Sequence, residues 1–190
     1  MKVVCIDTAI NIRRLSRQIL KNEPKIIEKY PSTSDGGTNL GINSLTSRFC
    51  HFNILDWWGT KSLKKCIREG YEEYTKIIDT PLYVQCWANV MRKNEKIDCH
   101  SHSISKHIGE HHHLCGNLCV KVDGSISTYY DGNPILNKEG QMSFFAAYVD
   151  HWTDAYRGNE ERITVAFDIL SEFMWENDIV LDMKSHWVRI

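Results

Sequence analysis

Leu82-Tyr83-Val84-Gln85-Cys86-Trp87-Ala88-Asn89-Val90-Met91 is the stretch at which this chain changes character. It follows Pro81, is rich in valine, aromatic and cysteine side chains, and reads as a β-strand. Downstream of it, strands are expected at 118–122, 125–130, 142–149 and 162–170. Gly124, Asp131-Gly132-Asn133-Pro134, Lys138-Glu139-Gly140 and Arg157-Gly158-Asn159 supply the turns between them. Short strands at this spacing predict an antiparallel sandwich or barrel.

Upstream of Pro81 the pattern is helical. Between Thr8 and Lys29 the residues Ile12, Leu15, Ile19, Ile26 and Ile27 recur at helical spacing, with Pro24 as the expected break. Residues 31–43 are a loop rich in Ser, Thr, Asn and Gly. A second helix is expected after Thr60 as its cap, with Leu63, Cys66, Ile67, Tyr71, Tyr74, Ile77 and Ile78 on its buried face. Residues 171–190 form an amphipathic extension without a clean period. The expectation is one α+β domain over 1–190: a mostly helical part at 1–80, a β core at 81–170 and the extension.

With 190 residues, 42% hydrophobic and 25% charged, and a net charge of −1, the chain is not intrinsically disordered. It also lacks the basic excess expected of a nucleic-acid-binding domain. No apolar run reaches bilayer length, and Met1–Asp7 is too short for the apolar core of a secretion signal. A cytoplasmic protein is therefore expected, with its seven cysteines as free thiols or metal ligands.

Six of the nine histidines lie between positions 100 and 113. In His100-Ser101-His102 an extended backbone points both imidazoles to one side, which makes half of a site for Fe, Zn, Ni or Cu. A lone pair of this kind also occurs as two solvent-facing rings in a polar loop. The strand at 142–149 delivers Asp150-His151 at its end, however, and Arg162 shares a face with Thr164 on the strand that opens ten residues later. An arginine turned into a barrel needs an anion, ideally a carboxylate. The His111-His112-His113 run offers an alternative, since His111 and His113 face together on an extended segment and precede Leu114-Cys115-Gly116-Asn117.

From about Pro81 to Ile169 the sequence resembles the double-stranded β-helix oxygenases that use Fe(II) and 2-oxoglutarate, especially a small prolyl-hydroxylase-like group. The matching stretches are Trp87-Ala88-Asn89-Val90, His100-Ser101-His102, Leu114-Cys115-Gly116-Asn117, Ser127-Thr128-Tyr129-Tyr130, Phe144-Phe145 with His151, and Arg162-Ile163-Thr164-Val165-Ala166-Phe167. The resemblance implies N-terminal helices packed on a jelly-roll, cupin-like core. It implies an Fe(II) site at His100, His102 and His151, with Arg162 gripping the far carboxylate of 2-oxoglutarate. Thr164, Asn89 and either Tyr129 or Tyr130 would touch the cosubstrate. The implied reaction oxidises a C–H bond of a small molecule or a peptide, peptidyl proline being the family-weighted choice.

One position departs from the family pattern. A carboxylate is expected where this chain has His102, so either the site holds three histidines or a nearby acid substitutes, with Glu110, Asp98 and Asp150 as candidates. Rival readings use the same residues. Cys99, Cys115 and Cys119 with the histidines would suit structural zinc, although no Cys-x-x-Cys knuckle is present. A cupin-type centre without 2-oxoglutarate would draw on His100, His102, Glu110 and His151, but would have no use for Arg162. No local motif supports a nucleophilic Cys/His enzyme. Trp57, Trp58, Trp87 and Trp152 are candidates for a binding groove or for ordinary core packing.

Overall fold

The computed structural model describes residues 1–102, 111–124, 126–177 and 186–190. In chain order its strands and α-helices are β1 (Val3–Asp7), α1 (Ile12–Lys29), α2 (Lys61–Thr75), β2 (Leu82–Met91), β3 (His113–Lys121), β4 (Ser127–Tyr130), β5 (Asn133–Leu136), β6 (Gln141–Ala146), β7 (His151–Thr153), β8 (Arg162–Ser171), α3 (Glu172–Glu176) and β9 (Val188–Arg189). A six-stranded sheet runs β1-β6-β3-β8-β2-β9, and a three-stranded sheet runs β5-β4-β7. All pairings are antiparallel. The fold is thus mixed helix and antiparallel sheet.

The central strands β2 and β8 of the larger sheet are buried on both faces, and the two faces differ in chemistry. Val84, Ala88 and Val90 of β2, Leu114 and Leu118 of β3, and Ile163, Val165, Phe167 and Ile169 of β8 join one apolar cluster with Leu15, Ile19, Leu63, Ile67 and Tyr71 of the helices. The alternate residues of β2 and β8 include Gln85, Asn89, Arg162, Thr164 and Asp168, all buried and polar. The register sets Asn89 opposite Thr164, Met91 opposite Arg162 and Cys115 opposite Asp168. One face therefore anchors the helices while the other carries chemistry. Gly70 lets α2 approach the sheet: a Cβ there would sit 1.9 Å from the Phe144 ring, which explains why a helix interior tolerates glycine at a cost of roughly 0.5–1 kcal/mol.

Several expectations are corrected. Residues 3–7 form a strand, because pairing with β6 stabilises a segment too short to declare itself. The first helix starts at Ile12, where the Asn11 side chain accepts from the Arg14 N–H at 3.0 Å, and it runs through Pro24. Packing of Leu15, Ile19 and Ile26 on the sheet outweighs the hydrogen bond that Pro24 cannot make. Thr60 stands at the N-cap position of α2, but its side chain makes no capping bond; its hydroxyl donates to Leu55 O and Trp57 O. That helix ends at Thr75, Lys76 takes a left-handed conformation, and Ile77 and Ile78 are exposed. Asn133 and Pro134, expected within a turn, instead open the strand Asn133–Leu136, which pairs with β4. The strand expected at 142–149 stops at Ala146, so His151 opens β7 instead of ending the previous strand. Among the described residues no helix is long and apolar enough to cross a membrane.

Candidate metal centre

A cavity of about 390 Å³ lies between the two sheets, a volume at the small end of those that hold a metabolite-sized ligand. Its walls include Asn89 and Trp87 of β2, Thr128 and Tyr130 of β4, and Arg162, Thr164, Ala166 and Asp168 of β8. Residues 97–102 run beside β7 along one edge. His100 and His151 exchange backbone hydrogen bonds (His100 N–H to His151 O at 3.2 Å, His151 N–H to His100 O at 2.9 Å), and His102 N–H donates to Ala147 O at 2.8 Å. This bridging, not a regular strand, turns both rings of the His-x-His pair toward His151.

Ring nitrogens of His100, His102 and His151 lie within 4.8 Å of one another. Each Nδ1 meets an acceptor: Asp98 O at 2.8 Å for His100, Asp168 Oδ1 at 2.6 Å for His102 and Val149 O at 3.0 Å for His151. Carbonyl and carboxylate oxygens only accept, so each Nδ1 carries a proton and, in the neutral ring, Nε2 keeps its lone pair. Three imidazole lone pairs in one cluster are a donor set for a first-row transition metal.

Electrostatics separates the three rings. Burial holds His151 well below the usual histidine range, with His102 and His100 adding to the depression. Burial also lowers His100, against the partial opposition of the Asp98 carbonyl. His102 goes the other way: burial disfavours its charge, but the Asp168 carboxylate outweighs burial and raises it. Asp168 mirrors this. Burial would raise it, yet His102, through charge and hydrogen bond, and His113 bring it well below the ordinary carboxylate range.

Arg162 is 1% exposed. Its Nη1 donates to the Met91 sulfur at 3.0 Å, and its Nε has no partner. Among the described residues it forms no ion pair, and burial lowers its affinity for its own proton. Cys119, Tyr130, Tyr156 and Asp123 partly offset that cost, but a buried guanidinium whose Nε meets no acceptor is suited to receive an anion, because buried charge is unfavourable unless it is paired.

No family model and no curated protein matches this sequence. Solved structures do. AviO1 from Streptomyces viridochromogenes aligns with a TM-score of 0.62 and 8% identity, over 90% of this chain and 90% of that one. The non-heme monooxygenase ThoJ, as its Ni complex, aligns at 0.56 with 13% identity, over 89% and 73% of the two chains. The epimerase SnoN, in complex with Fe3+, alpha ketoglutarate and nogalamycin RO, aligns at 0.54 with 11% identity, over 88% and 78%. The chain shares their fold.

On this fold the sequence-derived residues separate. His100, His102, His151, Arg162, Thr164, Asn89 and Tyr130 all border the one cavity. Asn89 Oδ1 accepts from the Thr46 hydroxyl at 2.6 Å, and the Tyr130 hydroxyl meets Ser143 Oγ at 2.8 Å. Tyr129 faces the opposite side of β4, as strand alternation requires, where its hydroxyl donates to Asp154 and its ring stacks on Trp152. His111 is exposed and rests against His112, whose Nδ1 meets Ser171 Oγ at 2.8 Å. His113 stands apart from the three-ring cluster, its Nε2 3.8 Å from Asp168 Oδ1. Glu110 lies outside the described residues. Of the other candidate acids, Asp98 offers its carbonyl to His100 while its carboxylate pairs with Lys96, and Asp150 is exposed.

The full zinc constellation does not assemble among the described residues: Cys99 is exposed and Cys119 contacts Asn137 at 3.5 Å, while Cys115 alone of the three joins a group, with His102 and Asp168. Of the tryptophans, Trp87 and Trp152 line the cavity, Trp57 packs against the main core, and Trp58 is exposed under Arg14. Sequence reasoning missed Asp168. The signal was available, since the alternation that pairs Arg162 with Thr164 continues through Ala166 to Asp168.

Proposed function

We propose that the protein is an Fe(II)- and 2-oxoglutarate-dependent oxygenase whose active site is this cavity. The observation that carries the reading is the buried, unpaired Arg162 in the same cavity as three convergent imidazole lone pairs. A dicarboxylate with a chelating keto-acid end matches both features at once. The neighbours described as non-heme alpha ketoglutarate-dependent enzymes support the choice of cosubstrate.

In this reading His100, His102 and His151 hold the ion through Nε2. Arg162 and Thr164 take the distal carboxylate, with Asn89 and Tyr130 completing the polar wall. The bound iron, with 2-oxoglutarate and dioxygen, supplies the oxidation of a substrate C–H bond, and succinate and CO2 leave. The chain's own part is to present neutral imidazoles, to which burial predisposes His100 and His151, and to keep water from the anion site. Trp87, Phe49 and Trp152 offer the substrate an apolar, aromatic wall. Hydroxylation of a small molecule or of peptidyl proline is the reaction this supports.

Anaerobic calorimetry with Fe(II)-loaded protein tests the reading. 2-Oxoglutarate should bind, succinate semialdehyde should not, and Arg162→Ala should weaken binding by about 2–5 kcal/mol, the range for a buried charge left without its partner. Full metal loading with no 2-oxoglutarate binding would instead favour a cupin-type centre.

A further inference from the structure

Among the described residues that line the cavity, Asp168 is the one carboxylate. It is 9% exposed, accepts two described hydrogen bonds and has a further nitrogen nearby. His102 Nδ1 lies 2.6 Å from its Oδ1, the Cys115 thiol donates to the same oxygen at 2.9 Å, and His113 Nε2 stands 3.8 Å away. That His113 nitrogen is buried and has no other partner. The rings of His100 and His151 rest instead on neutral backbone carbonyls. The three imidazoles are therefore not equivalent.

We propose that Asp168 is the carboxylate of this metal centre, acting through the ring of His102 and not on the ion. It is a positioning residue. The inference rests on the three-histidine reading above and extends it to a residue outside the ligand set. Three neutral imidazoles leave the full double charge of a divalent ion uncompensated. A carboxylate that holds the Nδ1 proton fixes the ring's tautomer, makes Nε2 a stronger donor and returns negative charge to the centre by one bond's remove. Cys115 and His113, approaching from β3, hold Asp168 in place so that it serves His102. The alternative use of these atoms is direct coordination, since His102, Cys115 and Asp168 also lie within 4.8 Å of one another.

Co(II) is the probe, followed by competition with a chelator and by its ligand-field absorption. Four proteins are compared: wild type, Asp168→Asn, His102→Asp and the double variant. Asp168→Asn should lower Co(II) affinity about 10–100-fold and shift the absorption bands, the effect of removing an outer-shell partner. His102→Asp brings a carboxylate to the ion directly. In that background Asp168→Asn should leave affinity unchanged or raise it, because two neighbouring carboxylates no longer repel. This non-additivity is what a merely structural role would not produce. Equal losses in both backgrounds, or Asp168→Asn binding within about twofold of wild type where about tenfold or more is expected, would overturn the proposal. So would bands showing direct carboxylate or thiolate ligation in the wild type. If Asp168→Asn alone fails to fold, the two proteins carrying His102→Asp decide by the same criterion. Wild-type protein that takes up no Co(II) would overturn the three-histidine reading itself.

Discussion

His100, His102 and His151 turn inward between the sheets, whereas His111 and His112, from the denser run, pack against each other, tilted, at a ring separation of 4.0 Å near the surface. The inward rings each have an acceptor behind Nδ1 and turn Nε2 toward one another. His112 spends its Nδ1 on Ser171 and packs on Phe173, and His111 is exposed. The comparison teaches that crowding in sequence does not make a centre. What makes one is backbone bridging that converges the rings, together with fixed acceptors that decide which nitrogen faces inward.

The largest expected effect separates the two groups directly. His151→Ala should abolish metal uptake, while the double variant His111→Ala/His112→Ala should keep one ion per chain, as read by metal analysis after gel filtration. The opposite result would move the centre to the surface run.

A second effect concerns the cavity's cation. In metal-free protein, Arg162→Met should raise stability by about 1–4 kcal/mol, the range for exchanging buried charged groups for apolar side chains, because among the described residues Arg162 forms no ion pair. Chemical denaturation measures this, and a loss of stability would mean that Arg162 is already compensated within the fold. Added 2-oxoglutarate should then raise the melting temperature of metal-loaded wild type only.

The smallest effect lies in the surface group. Burial, and then His111, lower the proton affinity of His112 in the folded state. The unfolded chain therefore binds more protons at that position, from about pH 6.5 downward. Its share of stability is present above that pH and falls as the solution is acidified toward the folded value. His112→Asn should flatten this part of the stability profile without altering metal uptake. An unchanged slope would show that His112 binds its proton equally well in the folded and unfolded chain, so that neither burial nor His111 lowers it.

Much of this was legible in the sequence. Leu82–Met91 forms the strand its composition predicts, and the strand at Arg162 is displaced by a single residue at its far end. Both lie deep in the large sheet, where local preference and burial agree. The features that were not legible depend on distant partners. β1 exists because β6 is there to pair with it, and Pro24 is tolerated because the sheet holds its helix. The His-x-His spacing and the face shared by Arg162 and Thr164 were readable from strand geometry. Asp168 needed the same alternation carried two steps further, and its bond to His102 spans 66 positions. Side-chain direction on a strand can be read locally; the partner it meets is set by topology.

The account's central claim is that one cavity holds an ion at one end and a carboxylate at the other. A crystal structure of the protein, grown without oxygen and soaked with Fe(II) and 2-oxoglutarate, tests it most directly. The account predicts an ion bonded to Nε2 of His100, His102 and His151, with Asp168 still on His102 Nδ1. The far carboxylate of 2-oxoglutarate should lie against the Arg162 guanidinium. An ion held by His102, Cys115 and Asp168, or an Arg162 that meets no anion while the ion is bound, would contradict it.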